Sequence, residues 1–331
     1  MQPLSNNYAA LEAGISRWMA TGGAGFEDWI LKVHRFQQEN NPVYRDFCQG
    51  FPVPACWQEI PAVPVSAFKT ADIRSFPEEL TVRTFETSGT TGGRPGQHHF
   101  CSLSLYLQAS TRGWIWAGLP PGPLIAIIPH ASEARHSSLS QMASWIGLRD
   151  RFFFNRREEL FSALETAPRS VIFGTALAFL DFFEWMGERM LVLPAGTIAV
   201  ETGGYKGTQR EMPKNELYRL FHERLGLPPR LVWNEYGMTE LTSQFYTSGL
   251  GRPHLSPPWA RGLVVNPSTG IEVSEGEPGI LRLFDVANLG SVCAIQTRDL
   301  AIRRGTDFEL IGRDPAALPR GCSLMADELL S

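Results

Sequence analysis

The sequence predicts an α/β protein built on a mainly parallel sheet, and three short apolar runs carry that prediction. They are LIAIIPH (124–130), SVIFGT (170–175) and TIAVETGG (197–204), and a segment that could form a helix follows each run. Apolar runs of this length between turn residues are typical of strands that are buried on both faces. Strands that alternate with helices usually pair in parallel, so we expect helices to flank the sheet.

The first fifty residues precede these runs and predict helices. Apolar side chains recur there at helical spacing, as in Leu11, Ile15, Trp18 and Met19. The connection from Phe51 to Phe68 contains four prolines, which exclude a continuous helix. We therefore expect a helical lead-in followed by an irregular connection.

The stretch after Tyr246 is rich in proline and glycine and contains the short apolar segments RGLVVNP, GILRLFD and CAIQTRDLAIRRG. This pattern predicts a small, mostly antiparallel β-rich unit. We predict a helical lead-in at 1–80 packed on the core, the α/β core at 81–260, and the β-rich subdomain with a hinge-like tail at 261–331.

Composition and charge exclude several classes of protein. The 331 residues are 43% hydrophobic and 19% charged, which is typical of a globular chain with a large core. Thirty basic against 34 acidic residues give a net charge of -4. The chain therefore lacks the excess of positive charge that is typical of proteins that bind nucleic acid or an anionic membrane. The N-terminus has no basic start before an apolar run, and no apolar stretch approaches the ~20 residues of a membrane span. We expect a cytoplasmic protein.

The five cysteines are odd in number and widely spaced, at Cys48, Cys56, Cys101, Cys293 and Cys322. No pair has metal-ligand spacing, so neither a disulfide scaffold nor a zinc site is predicted. We expect the first four to be small buried side chains.

One loop stands out for its hydroxyl and glycine residues: Thr87, Ser88, Gly89, Thr90, Thr91 and Gly92. Glycines let backbone amides approach an anion and the hydroxyls add donors, so the loop could hold the phosphates of a nucleotide. It lacks the Gly-Lys-Ser or Gly-Lys-Thr ending of a Walker loop, which argues against a P-loop ATPase. The alternative is a solvated turn.

A second cluster follows the strand-like segment LVW at 231–233 and reads Asn-Glu-Tyr-Gly-Met-Thr-Glu at 234–240. A turn at Gly237 would present a hydroxyl and a carboxylate at the end of the sheet where open α/β proteins bind ligands. Glu240 could hold Mg²⁺, which prefers carboxylate and phosphate oxygens. Alternatively, a helix could begin here with Thr239 as its N-cap.

Five motifs in order resemble the acyl-adenylate-forming superfamily. They are Thr-Ser-Gly-Thr-Thr-Gly at 87–92, Glu-Thr-Gly-Gly at 201–204, Tyr-Gly-Met-Thr-Glu at 236–240, Thr-Arg-Asp at 297–299 and Gly-Arg at 312–313. Within that superfamily the chain most resembles the acyl-protein synthetases (long-chain-fatty-acid–protein ligases) of bacterial bioluminescence. That closer likeness depends on the short length, on Glu-Thr-Gly-Gly-Tyr-Lys-Gly at 201–207 and on Pro-Arg-Gly-Cys-Ser-Leu at 319–324.

The resemblance implies a fold and a set of roles. The fold would be the N-terminal core of an adenylate-forming enzyme, which binds ATP, with the small β-rich segment appended. Thr87 to Gly92 would hold the ATP phosphates, Thr239 would contact the α-phosphate, and Glu240 would bind magnesium. Gly203 and Gly204 would border the adenine, and Asp299 would contact the ribose. Arg313 would lie near the nucleotide. Glu201, Thr202, Tyr236, Gly237 and Met238 complete the implied nucleotide-binding motifs. The alternative for Asp299 is a turn residue at the end of a strand.

Two departures from the family pattern bear on the chemistry. The loop continues as Gly93-Arg94-Pro95-Gly96 where the family commonly has Pro-Lys-Gly, so whether Arg94 supplies the phosphate-contacting charge stays open. The chain ends soon after Arg313, and we expect the mobile C-terminal domain of the larger relatives to be absent or truncated.

By the same resemblance, Cys322 would accept the acyl group as a thioester and pass it to a partner. Arg320 two residues away would favour the thiolate modestly. The alternative is a cysteine packed in a C-terminal turn. His136, after the strand-like segment LIAII, and Lys206 are candidate contacts for the acid or a phosphate. A solvent-facing or capping histidine and a solvated loop lysine are the alternatives.

The predicted function is therefore ATP- and Mg²⁺-dependent conversion of a carboxylic acid, expected to be a fatty acid, into an acyl-adenylate, with transfer to Cys322 and then to a reductase or carrier protein. A second hypothesis is a stand-alone enzyme that activates an aromatic or modified acid and delivers it to a carrier protein. A third is a nucleotide-binding relative without catalytic activity.

Overall fold

The computed structural model describes residues 6–87, 94–203 and 212–313. The helices in these residues are α1 (Asn6–Ala20), α2 (Phe26–Asn40), α3 (Pro42–Cys48), α4 (Ser104–Trp116), α5 (Ser138–Ile146), α6 (Arg157–Thr166), α7 (Ala176–Met186) and α8 (Lys214–Leu225). The strands are β1 (Val63–Pro64), β2 (Arg83–Glu86), β3 (Gln97–Phe100), β4 (Leu124–Ala126), β5 (Val171–Thr175), β6 (Ile198–Thr202), β7 (Val232–Tyr236), β8 (Phe245–Ser248), β9 (Ala260–Val265), β10 (Pro278–Asp285), β11 (Ala294–Arg304) and β12 (Asp307–Arg313).

The central sheet has the strand order β4-β5-β6-β7-β8, in which β4 to β7 are parallel and β8 is antiparallel. Successive residues of these strands face opposite sides, and both sides are apolar. Ile172, Ala199 and Val232 pack under α6, α7 and α8. Phe173 and Val200 pack under α4 and α5 on the other side. Burial on both faces explains why the sequence shows continuous apolar runs instead of alternation, and the predicted α/β class is confirmed.

The predicted strand at 124–130 is shorter than expected. β4 ends at Ala126, although Ile127 and Ile128 remain buried. The Ile127 amide still donates to the Phe173 carbonyl oxygen at 2.7 Å, so the chain stays beside β5 after regular pairing stops.

A second sheet contains the predicted β-rich segment, with the order β1-β11-β10-β9, and β12 pairs with the later part of β11, beyond the two residues that pair with β1. Its pairings are antiparallel except for β1, which runs parallel to β11 at Ile295 and Gln296. The prediction of a small, mostly antiparallel unit after the α/β core is confirmed.

The helical lead-in contacts this second sheet. Ile15, Ile30 and Phe47 share one buried cluster with Leu281 and Ile295. The buried side chain of Gln37, in α2, adds two hydrogen bonds between the lead-in and the segment that joins β10 to β11. Its Nε2 donates to the Asn288 carbonyl oxygen at 2.9 Å, and its Oε1 accepts from the Cys293 amide at 2.8 Å. The division of the chain near residues 80 and 260 stays a prediction.

The proline-rich connection is irregular, as predicted, and forms only two short 3-10 turns at Trp57–Glu59 and Val65–Lys69 beside β1. The expectation of a buried cysteine is wrong for Cys56, which is half-buried because it precedes the first of these turns near the surface. Cys48, Cys101 and Cys293 are buried as expected, and burial raises the pKa of the Cys48 and Cys101 thiols to about 11. Of the helices that the structure describes, none is long and apolar enough to cross a bilayer.

Candidate functional site

The carboxyl ends of three parallel strands meet at one edge of the central sheet. Thr175 of β5 is paired with Thr202 of β6, and Thr202 is paired with Glu235 of β7. The residues that follow β6 and β7, Gly203 and Gly237, therefore leave the sheet side by side. This is the edge at which open α/β sheets bind ligands, and it brings together two motifs that are separated in the sequence.

The base of the phosphate-loop candidate is closed by two hydrogen bonds between Thr87 and Gly96. The Thr87 amide donates to the Gly96 carbonyl oxygen, and the Gly96 amide donates to Thr87 Oγ1, both at 2.9 Å. The loop therefore leaves and returns at the end of the β2–β3 hairpin. The remaining predicted loop residues, Ser88, Gly89, Thr90, Thr91 and Gly92, lie outside the described residues.

Thr239 lies against the base of this loop. Its hydroxyl is 3.5 Å from the Glu86 carbonyl oxygen, one residue before Thr87. Its own carbonyl oxygen accepts from Nδ1 of His98, in β3, at 2.7 Å. The predicted α-phosphate contact is thus held beside the predicted phosphate loop by two strands of the hairpin.

His98 is buried, and burial lowers its pKa to about 4, so the imidazole is neutral at pH 7. Because a carbonyl oxygen can only accept, the tautomer at this bond carries its proton on Nδ1. No local sequence pattern distinguishes His98, because its partner is 141 residues away along the chain.

Glu240 is buried, and its backbone is held by the second sheet. Its carbonyl oxygen accepts from Asn288 Nδ2 at 3.0 Å. The two amides that follow it in the next turn, those of Thr242 and Ser243, donate to Asp285 Oδ2 at 3.0 and 2.8 Å. Burial raises the pKa of Asp285 to about 6 although these hydrogen bonds oppose the rise. Sequence reasoning missed both Asp285 and Asn288.

The alternative in which Thr239 caps a helix is wrong. Met238 to Glu240 form a turn that closes with a hydrogen bond from the Leu241 amide to the Met238 carbonyl oxygen at 3.1 Å, and β8 follows. The antiparallel return into β8 leaves no room for a helix at this point. The Met238 side chain packs against the cluster of the second sheet.

Asp299 joins the two sheets at the site. It lies within β11, so it is not a turn residue at a strand end, and its Oδ2 accepts from the Tyr236 hydroxyl at 2.7 Å. Across the β11–β12 pair, Asp299 is the direct partner of Arg313. The Thr-Arg-Asp and Gly-Arg motifs are therefore adjacent and both reach the end of β7. The structure describes the backbone of Arg313 only.

Glu201 does not point at this edge, although it belongs to a predicted nucleotide-binding motif. Its buried Oε1 accepts from the Tyr218 hydroxyl at 3.1 Å and from Asn234 Nδ2 at 2.9 Å, and lies 3.5 Å from Lys214 Nζ. Burial raises the pKa of Glu201, and Lys214 is the first of the groups that oppose the rise. Thr202 faces the other side of the sheet, and Gly203 is exposed with open space where a side chain would lie.

Two predicted substrate contacts have different outcomes. His136 is 69% exposed, its Nδ1 lies 3.9 Å from Glu86 Oε1, and its carbonyl oxygen accepts from the Glu86 amide at 2.9 Å. It is therefore beside the base of the phosphate-loop candidate, where a substrate contact is feasible. Lys206 lies outside the described residues, as do Gly204 and Cys322.

Arg94 lies at the returning end of the loop and contacts Gln97 Oε1 at 3.4 Å. It borders a cavity of about 240 Å³ that Lys69 and Arg74 also line. Asp72 and Glu78 line the same cavity and are both paired with Arg74, so the charge of Arg74 is balanced within the protein. Replacement of the family's loop lysine by Arg94 stays a prediction.

Comparisons with known proteins find relatives in sequence and in fold. The chain is 20% identical to a long-chain-fatty-acid–luciferin-component ligase of Vibrio harveyi, over 89% of this chain and 85% of that protein. An open conformation of 2-hydroxyisobutyryl-CoA ligase, in complex with its acyl-AMP and CoA, matches with a TM-score of 0.65 and 17% identity over 86% of this chain and 73% of that one. ATP-bound MatB of Rhodopseudomonas palustris matches with a TM-score of 0.50 and 16% identity over 70% of this chain, which spans about half of MatB (48%).

No protein-family model matches the chain. The resemblance to bacterial fatty-acid ligases that the motifs predict is confirmed by the curated relative. The core fold of adenylate-forming enzymes is confirmed by the solved structures.

Proposed function

We propose that this protein uses ATP to convert a carboxylic acid into an acyl-adenylate and then transfers the acyl group to a thiol. The observation that carries the proposal is the meeting of Thr87, Gly203, Thr239 and Asp299, from four separate motifs, around one sheet edge. The general class, a ligase that activates a carboxylic acid, agrees with the name of the curated relative and is confirmed at that level.

In the first step an oxygen of the substrate carboxylate attacks the α-phosphorus of ATP. An oxygen–phosphorus bond forms, the bond from the α-phosphorus to the bridging oxygen breaks, and pyrophosphate leaves. Negative charge accumulates on the phosphate oxygens, so positioned donors supply much of the rate. The Thr239 hydroxyl would be such a donor once its single proton turns from the Glu86 carbonyl oxygen, 3.5 Å away, towards a phosphate oxygen. The bond from His98 holds the backbone of Thr239 in place.

Magnesium would be held by Glu240. The ion commonly takes one or two protein carboxylates and completes its coordination with substrate phosphates and water. The bound ion would neutralise phosphate charge, while Asn288 and Asp285 keep the backbone around Glu240 in place.

Asp299 would accept hydrogen bonds from the ribose hydroxyls. A carboxylate offers two oxygens to a diol, and the Tyr236 hydroxyl fixes the orientation of the Asp299 side chain between the two sheets. The ribose would then lie where the end of β7 meets β11.

In the second step a thiolate attacks the acyl carbon of the adenylate. A carbon–sulfur bond forms, the carbon–oxygen bond to AMP breaks, and AMP leaves. Cys322 is the proposed thiol because it occupies the place of the acyl-accepting cysteine in the Pro-Arg-Gly-Cys-Ser-Leu segment. A reductase or a carrier protein would receive the acyl group from it.

The test is pyrophosphate release with ATP, Mg²⁺ and a panel of fatty and aromatic acids, together with covalent labelling by radioactive acid. Wild type is expected to release pyrophosphate and to carry a hydroxylamine-sensitive label on the peptide around Cys322. Glu240→Gln should lose most pyrophosphate release, because the amide supplies no charge to the metal.

Cys322→Ala is the matched control for the second step. It should release pyrophosphate in a first turnover without becoming labelled, because the first step uses no protein nucleophile. Equal labelling of this variant would remove Cys322 from the mechanism. Absence of pyrophosphate release by wild type with every acid of the panel would overturn the proposed activity.

A further inference from the structure

A row of polar side chains crosses one face of the central sheet just below the site. Thr175, Thr202, Glu235 and Tyr246 are direct neighbours on β5, β6, β7 and β8. Direct cross-strand neighbours point to the same face, with Cβ atoms about 4.5–5.5 Å apart. The four side chains therefore form one continuous row at the carboxyl edge of the parallel strands.

The surroundings of the row are apolar. Phe173 and Val200 occupy the same face two residues further in, and Phe85 and Trp114 belong to the cluster that covers it. Glu235 is 3% exposed. A carboxyl group in such a setting is strongly unfavourable without hydrogen-bonding partners, so its presence requires an explanation.

The protein satisfies this row only in part. The Thr202 hydroxyl bonds to Glu235, and Thr175 uses its hydroxyl to accept from the Ala178 amide at the start of α7. The Tyr246 hydroxyl is buried and has no hydrogen-bonding partner among the described residues, and the same holds for Gln244 Oε1. Buried polar groups of this kind are rare in proteins and often mark a place for a ligand or an ordered water.

The row lies directly beneath the turn that carries Thr239. A methyl group in place of a Gly237 hydrogen would lie 2.5 Å from Glu235 Oε1, so the carboxyl group touches the backbone of this turn. The side chain of Gln244 is also close, with Cγ 3.5 Å from the same position. Glu235 and Tyr246 therefore lie at the same edge of the sheet as Thr239, where the substrate carboxylate would be activated.

We propose that Glu235 and Tyr246 form a specificity subsite for a hydrogen-bond donor on the substrate acid, a hydroxyl or an amino group a few bonds from its carboxylate. A hydroxyl would donate to Glu235 and accept from Tyr246, and an amino group would donate to Glu235. This inference depends on the proposed acid-activating function and narrows its substrate class. A plain alkyl chain would leave the Tyr246 hydroxyl unpaired and Glu235 with the Thr202 hydroxyl as its partner. Sites built to bond a hydroxyl discriminate strongly against analogues that lack it.

The experiment compares pyrophosphate release from a straight-chain alkanoic acid with release from its β-hydroxy and β-amino analogues, and from benzoic acid with release from its hydroxy and amino derivatives. Wild type is expected to prefer one polar analogue by about a hundredfold or more in kcat/KM. The hydroxy and amino arms distinguish the two donor types.

Two variants test the residues. Tyr246→Phe and Glu235→Gln should each reduce the preference for the polar analogue over the plain acid, measured as the ratio of the two kcat/KM values, at least tenfold. Tyr218→Phe is the matched control, because its hydroxyl bonds to Glu201 on the opposite face of the same sheet. The control should keep the full preference, and thermal unfolding of all three variants checks that they are folded.

The outcomes separate the two proposals. Equal turnover of plain and polar acids by wild type would overturn the subsite and leave the acid-activating function standing. A preference that survives in both Tyr246→Phe and Glu235→Gln, or that Tyr218→Phe loses equally, would remove the two residues from recognition. Absence of pyrophosphate release with every acid would overturn the proposed function and the subsite with it.

Discussion

The two faces of the central sheet each bury one carboxyl group, on neighbouring strands, and treat it in opposite ways. Glu201 of β6 faces α8, where Tyr218, Asn234 and Lys214 surround it. Glu235 of β7 faces the other side, where the neighbouring Tyr246 hydroxyl has no partner among the described residues. The position of a carboxyl group beside a binding motif therefore does not reveal its role. Its hydrogen-bonding partners show whether it stabilises the fold or is available to a ligand.

The largest expected effect is on stability, when the satisfied carboxyl group is removed. Glu201→Ala should lower the free energy of unfolding by about 2–5 kcal/mol, because it leaves the buried Tyr218 hydroxyl without an acceptor and Asn234 with only the backbone carbonyl oxygen of residue 201. Urea unfolding measures the loss. Glu235→Ala should lose clearly less, since it removes only the hydrogen bond with the Thr202 hydroxyl, and the Tyr246 hydroxyl has no bond to give up. Equal losses in the free energy of unfolding would mean that Glu201 and Glu235 stabilise the fold to the same extent.

The pH dependence of stability sharpens the comparison. Burial raises the pKa of Glu235 from 4.5 to about 7, although the Thr202 hydroxyl opposes the rise. The folded protein therefore binds more protons than the unfolded chain between these values. The stability that the protonated group contributes is complete below about pH 4.5 and is lost as the pH rises through about 7, by as much as about 3 kcal/mol.

Urea unfolding at about pH 5 and about pH 8 checks this prediction. Glu235→Gln cannot titrate, so its stability should fall less than that of wild type over the same interval. The pKa of Asp285 is also raised, to about 6, but that group titrates in both proteins and cancels in the difference. Parallel pH profiles would show that Glu235 does not titrate in this range.

The smallest effect comes from removing single hydroxyl groups. Tyr218→Phe should destabilise by about 1.5–3 kcal/mol, because its hydroxyl donates to the Glu201 carboxyl group. Tyr246→Phe should lie within about 0.5 kcal/mol of wild type or be slightly more stable, because a buried hydroxyl without a partner is unfavourable. Thermal unfolding of this matched pair measures both, and a large loss in Tyr246→Phe would reveal a structural hydrogen bond at that position.

The sequence by itself determined the three parallel strands β4, β5 and β6, although β4 is shorter than predicted, and the motifs that follow β6 and β7. A strand buried on both faces must be apolar along its length, and a phosphate-binding or metal-binding turn requires particular residue types. Both constraints are local and can be read from a few consecutive residues. The β-rich segment after β8 was predictable for the same reason, from short strands between proline and glycine turns.

Only the tertiary structure decided which side chains hold the site in place. His98 bonds to Thr239 across 141 positions of sequence, and Tyr236 bonds to Asp299 across 63. Hydrogen bonds of this kind depend on how two sheets approach each other, and no local pattern records that approach. The different partners of Glu201 and Glu235 have the same cause. Two neighbouring strands present their carboxyl groups to opposite layers, and the packing of those layers determines which group is satisfied within the protein.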